Sequence, residues 1–154
     1  SADDLAVILL HTRGLARRIR DLHRLGIAHR DLSPDHVFVG PRGATTVVDF
    51  GMARRTLALS TAKRRLDEGY DVQAFGMILW EMICGRPLFP YRDTRLSAVA
   101  LAELALIEQA ALPQPLTRLL TGCLSARSEF TPAGVGTGTG FESSEQLVAS
   151  FTTV

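Results

Sequence analysis

Lysine is almost missing from this chain: Lys63 is the only one, and arginine supplies the rest of the basic charge. Any chemistry that needs an amine side chain therefore falls on a single residue, and with Arg64 and Arg65 beside it Lys63 reads as part of a solvated basic patch. Cysteine is scarce as well. Cys84 and Cys123 lie far apart and without metal-ligand spacing, which predicts buried free thiols in a reducing cytoplasm, a single disulfide being the alternative. Long apolar runs are absent: Val7 to Leu10 is closed by His11 and Arg13, too short for a bilayer span or a signal-peptide core, so neither export nor membrane association is expected. Neither sign of charge is in excess. The formal net charge of +1 gives no electrostatic reason to expect nucleic acid or an anionic surface as partner.

What remains has the composition of a soluble globular protein, and 154 residues are enough for one domain with a buried core. Leu5, Leu9, Leu15, Ile19 and Leu22 recur at helical spacing from about residue 3 to Leu25, with Asp3 as cap and Gly26 as stop. Val37–Val39 and Thr45–Val48 read as two β-branched strands joined by a turn at Pro41-Arg42-Gly43. From Met52 to Glu68 the basic, hydroxyl-rich run has no clear period and is expected to be irregular surface. Val72, Phe75, Leu79, Met82 and Ile83 predict a buried helix that ends at Gly85, before Pro87. Further helices are expected over Leu96 to Ala111, Leu116 to Leu124 and Glu142 to Phe151, with a flexible Gly/Thr-rich loop at 133–140.

Two acidic motifs stand out against this background. His29-Arg30-Asp31-Leu32 follows the first helix, and Asp49-Phe50-Gly51 follows the hairpin. Two carboxylates delivered by neighbouring loops suit phosphoryl transfer from a metal-nucleotide, where one orients the attacking hydroxyl and the other holds the cation on the phosphates. The plainer reading is that Asp31 caps a turn and Asp49 ends a strand.

The pair resembles the H-R-D and D-F-G elements of protein kinases, and the order of the two motifs with strands between them strengthens the likeness. Leu22 to Val37 resembles the passage from helix to catalytic loop, Asp71 to Met82 the central helix of the larger lobe, Gly85 to Phe89 the loop after it, and Cys123-Leu124-Ser125 a later helix. The similarity runs to about Ser125, with 1–132 best matched and 141–154 left as a C-terminal helix and tail. It implies a mainly α fold with a small β-hairpin, the C-lobe of a protein kinase over 1–154, with ATP and Mg2+ as cofactors and a protein hydroxyl as acceptor. On this resemblance Asp31 and Arg30 are catalytic, Asp49 and Phe38 bind the cofactor, and Asp49 and His36 hold the metal. Arg30 would pair with a phosphorylated Thr56, Ser60 or Thr61, or simply with a neighbouring carboxylate. Phe38 would floor the adenine, or serve as an ordinary core phenylalanine. His29 and Phe50 would stack as core side chains beneath the site, and Asp71 would anchor the loop's backbone.

Several positions depart from the family pattern. His36 stands where asparagine is usual, and imidazole suits a hard, oxygen-seeking cation less well; a histidine here is, however, what the lipopolysaccharide-core sugar kinases show. Ser33 replaces a lysine, and between Gly51 and Asp71 there is no proline and hence no A-P-E element. The arginine that pairs with that element is missing too, its register being taken by Glu129-Phe130-Thr131-Pro132. Losing both partners spares the several kcal/mol that one buried unpaired charge would cost. The sequence starts within the helix before the catalytic loop, so the Gly-rich loop, strand lysine and helix glutamate are expected from an N-lobe outside these residues. Without that lobe, weak nucleotide binding and no turnover are expected. The leading expectation is a protein kinase acting on serine, threonine or tyrosine; the alternatives are a pseudokinase that binds partners and a kinase-like enzyme for a sugar of the lipopolysaccharide core.

Overall fold

The computed structural model describes residues 2–87, 112–128 and 140–154. Helix α1 (Ala2–Arg24) leads into a two-residue strand β1 (Ile27–Ala28); a 3-10 turn (Pro34–His36) feeds the hairpin β2 (Val37–Val39) and β3 (Thr45–Val47). After β4 (Arg54–Arg55) come α2 (Thr61–Cys84), α3 (Gln114–Leu124) and α4 (Ser144–Ser150). The described residues are mainly helical, with two small antiparallel ribbons, β1 with β4 and β2 with β3.

The core is the meeting of the four helices. Leu15 and Ile19 of α1, Val72, Phe75 and Leu79 of α2, Leu116, Leu119 and Leu120 of α3 and Leu147 of α4 are all buried. Each such side chain contributes about 1.5–3 kcal/mol by leaving water. Helices α2 and α3 come unusually close at Gly76, where a Cβ would lie 2.7 Å from that of Cys123. Gly26 and Gly85 take the left-handed conformation (φ 71° and 68°) that ends α1 and α2. At the end of α2 the Gly85 amide donates to the Glu81 carbonyl at 2.9 Å.

Three expectations change. The run from Thr61 to Glu68 is helical, not irregular. Ser60 caps it by accepting the Lys63 amide at 3.4 Å, and Arg64 pairs with Glu68 one turn on at 3.3 Å. Its inward face carries Asp67 and Gly69 rather than aliphatics, so no apolar period announces it. Cys84 is exposed at the end of α2, whereas Cys123 is a buried free thiol. Asp3 lies within the first turn of α1, where its charge favours the positive end of the helix dipole. The expected helix at Leu96 to Ala111, Leu88 and Phe89, Glu129 to Pro132 and the loop at 133–139 lie outside the described residues.

Candidate functional site

The segment 29–36 is held in place by a buried acid. Asp71, on α2, accepts the amides of His29 and Arg30 on its two oxygens, at 2.8 and 2.7 Å, and takes His23 Nε2 at 2.9 Å. His23 Nδ1 in turn meets Ser144 Oγ at 2.9 Å, tying α4 to the same network. A carboxyl group tied to two backbone amides and an imidazole is a rigid anchor in a low-dielectric interior. The loop it holds is strained: Arg30 sits at φ 66°, in a region costly for a side-chain-bearing residue.

His29 links this loop to the second motif. Its Nε2 lies 2.9 Å from the Val48 carbonyl, which can only accept, so Nε2 carries the proton and Nδ1 is left to accept the Asp31 amide at 3.3 Å. A buried imidazole thus bridges the backbone just before Asp49 and that of Asp31. Phe50 meets His29 edge-on at a centroid separation of 4.9 Å, yet it is 45% exposed and is no core side chain.

The hairpin sets the third member. Pairing of Val37 with Val47 continues into a bond from the Val48 amide to the His36 carbonyl, which puts His36 across from Val48 and next to Asp49. Asp49 is itself in the left-handed region (φ 63°) and accepts the Gly51 amide on Oδ1 at 3.2 Å. His36 Nδ1 donates to the Asp31 carbonyl at 2.7 Å; its Nε2 faces Asp49 Oδ2 at 3.2 Å, with Asp31 Oδ2 3.8 Å from Nδ1. One ligand atom each from Asp31, His36 and Asp49 lie within 4.8 Å of one another, and the two acids are open to solvent.

This donor set fits a divalent cation. With Nδ1 committed to a carbonyl, Nε2 confronts a carboxylate oxygen, and only a positive charge between them, a proton or a metal ion, makes that contact favourable. A histidine oriented through its other ring nitrogen by a backbone carbonyl is a common arrangement among metal ligands.

The remaining sequence candidates separate. Phe38 is 61% exposed, which rules out the core reading and leaves its ring open beside the hairpin. Arg30 Nε pairs with Asp67 Oδ1 at 3.2 Å, so the neighbouring-carboxylate reading describes it. Of the three hydroxyls offered as phosphorylated partners, Thr56 is fully buried, Ser60 caps α2, and Thr61 is exposed as the first residue of α2. Asp67 was not singled out in the sequence; its signal is its place one helical turn before Asp71, which puts both acids on the same face of α2.

Residues 10–67, which contain both acidic motifs and His36, match the Lipopolysaccharide kinase (Kdo/WaaP) family. The chain is also similar to eukaryotic protein kinases. It is 36% identical over 103 residues to a putative cyclin-dependent kinase F-2 of Oryza sativa, covering 53% of this chain and 32% of that protein. It is 29% identical over 94 residues to the mitogen-activated protein kinase HOG1 of Wallemia muriae, and 29% over 103 residues to spk1 of Schizosaccharomyces pombe. Those two matches cover 51% and 53% of this chain, and 34% and 28% of the relatives. A kinase-like fold is indicated. The chain spans about a third of the length of the curated relatives it matches. The chain carries an Asp/His/Asp cluster able to coordinate a divalent cation such as Mg2+. None of its described helices is long and apolar enough to cross a membrane.

Proposed function

We propose that this chain is the catalytic-loop half of an ATP-dependent phosphotransferase whose acceptor is a sugar hydroxyl of the lipopolysaccharide core. The observation that carries the reading is His36. It stands between Asp31 and Asp49, within the segment that matches the lipopolysaccharide kinases, at the position where protein kinases place asparagine. The start of α2 at Thr61, soon after Gly51, supports it too, because little chain is left there to form a peptide-binding platform.

Mg2+ and ATP, when bound, supply a polarised γ-phosphoryl group. Asp49 and His36 would hold the cation, and Asp31 would orient the acceptor hydroxyl and take its proton as the new bond to the γ-phosphorus forms and ADP leaves. Asp71 and His29 keep both loops from relaxing. Phe38 offers its exposed ring to the adenine. An upper lobe would cover the phosphates and exclude water.

Transfer to a protein hydroxyl is the second reading, favoured by the 36% identity to a cyclin-dependent kinase. The deciding experiment gives the full-length protein labelled Mg-ATP with either a lipopolysaccharide-core oligosaccharide or a serine/threonine peptide library. Label on the sugar supports the first reading; label on peptide alone replaces it with the second. Nucleotide binding without transfer to either would make the lobe a binding module.

A further inference from the structure

Two acids one turn apart on α2 converge on residue 30. Asp71 holds its backbone, with Oδ1 accepting the Arg30 amide at 2.7 Å, while Asp67 holds its side chain, with Oδ1 3.2 Å from Nε. The same Asp67 carboxylate receives Arg54 Nη1 at 3.2 and 3.3 Å. Arg54 lies on β4, opposite Ala28 of β1, on the stretch of chain that leaves Asp49. Asp67 is therefore a bolt between the segments that carry the two site acids. Its side chain is 3% exposed and the Arg30 side chain 17%, so the pair is largely shielded from solvent.

We propose that Asp67 is a positioning residue that locks the Asp31 loop to the Asp49 segment, so that the site is assembled without phosphorylation. The proposal rests on the phosphotransferase reading above. An arginine next to a site aspartate needs an anion to fix it, and a phosphorylated hydroxyl on the segment after Asp49 would be one source. Here the anion is built into α2. Thr56 cannot be reached by a modifying enzyme without unfolding, since it is fully buried and its amide donates to the Gly26 carbonyl at 2.8 Å. The strained φ of Arg30 needs holding on both backbone and side chain, and the two carboxylates hold one each.

The test uses the full-length protein, treated with phosphatase and shown by intact mass to carry no phosphate. Turnover should stay within about twofold of untreated protein, and D67N should lower kcat by about tenfold or more with KM for ATP nearly unchanged. Hydrogen exchange gives an independent readout. In D67N the Arg30 and Asp31 amides should exchange about tenfold faster while Leu79 and Leu120 stay protected. Should D67N lose core protection, R54Q takes its place, because Arg54 is half exposed; faster exchange at Arg30 is again expected. Wild-type kcat in D67N, unchanged exchange at residues 30 and 31 in the folded variant, or activity lost on dephosphorylation would each overturn the proposal. If wild type transfers phosphoryl to no acceptor, the phosphotransferase reading fails on its own, and the exchange data still decide whether Asp67 locks the loop.

Discussion

At the scale of single residues, the candidate site is two solvent-facing carboxylates and one imidazole whose orientation is fixed from behind. Replacing Asp31 by Asn in the full-length protein removes the proposed base without changing shape, so kcat should fall by about 10²–10⁴-fold while nucleotide affinity stays similar. Unchanged turnover would take Asp31 out of the chemistry. His36→Asn swaps a nitrogen donor for an amide oxygen. Mn2+ affinity, followed by electron paramagnetic resonance, should fall more than Mg2+ affinity, because imidazole favours the softer ion; equal affinities in both proteins would show that His36 is no ligand. The cysteines make a separate prediction. Burial pushes the Cys123 thiol well above its ordinary value of 9.0, whereas Cys84 is exposed and is raised only by partial desolvation against the opposing pull of Arg86. Maleimide should label Cys84 first and Cys123 only on unfolding. Because the folded state keeps the Cys123 proton longer than the unfolded chain does, its contribution is complete below pH 9 and is lost as pH rises past it. The melting temperature of wild type should therefore drop more steeply above pH 9 than that of Cys123→Ala.

At the scale of elements, α2 does more than fill the core. Its apolar half, with Val72, Phe75 and Leu79, was legible as a buried helix because those residues repeat at helical spacing. Its first half was not legible, since Asp67 and Gly69 are buried by ion pairs and a backbone contact that leave no apolar period. A Cβ on Gly69 would fall 1.8 Å from the Arg127 carbonyl oxygen. Gly69→Ala should therefore cost about 1–3 kcal/mol in urea unfolding, through displacement of the chain that follows α3. The hairpin was also legible, from its β-branched strands and the turn at Gly43, and its register is what delivers His36 to Asp49. Pairing shifted by one residue would turn His36 away. Asp71→Asn should be more damaging than any surface change on α2. It leaves at least one of the buried donors from His29, Arg30 and His23 without an acceptor, at about 1–3 kcal/mol for each such group.

At the scale of the whole molecule, the four helices among the described residues make a core that supports a candidate site on short loops and strands. Phe38, Val39, Phe50 and Met52, all on or next to those loops and strands, expose large apolar surface. Such residues around a candidate cation site are what a covering lobe would bury, and these 154 residues alone should bind ATP only at about millimolar strength. Calorimetry on the 154-residue chain measures this; micromolar binding would show that the lobe grips nucleotide by itself.

The sequence by itself determined the helix positions that pack the core, the hairpin, and the identity and order of the two acids, because each leaves a local mark in spacing or turn chemistry. Only the tertiary structure decided that Arg30 meets Asp67, that His36 turns to Asp49, that Phe38 and Phe50 lie open, and that α2 starts at Thr61. Those outcomes depend on charges and hydrogen bonds between segments far apart in the chain, and such pairings have no period for a linear reading to find.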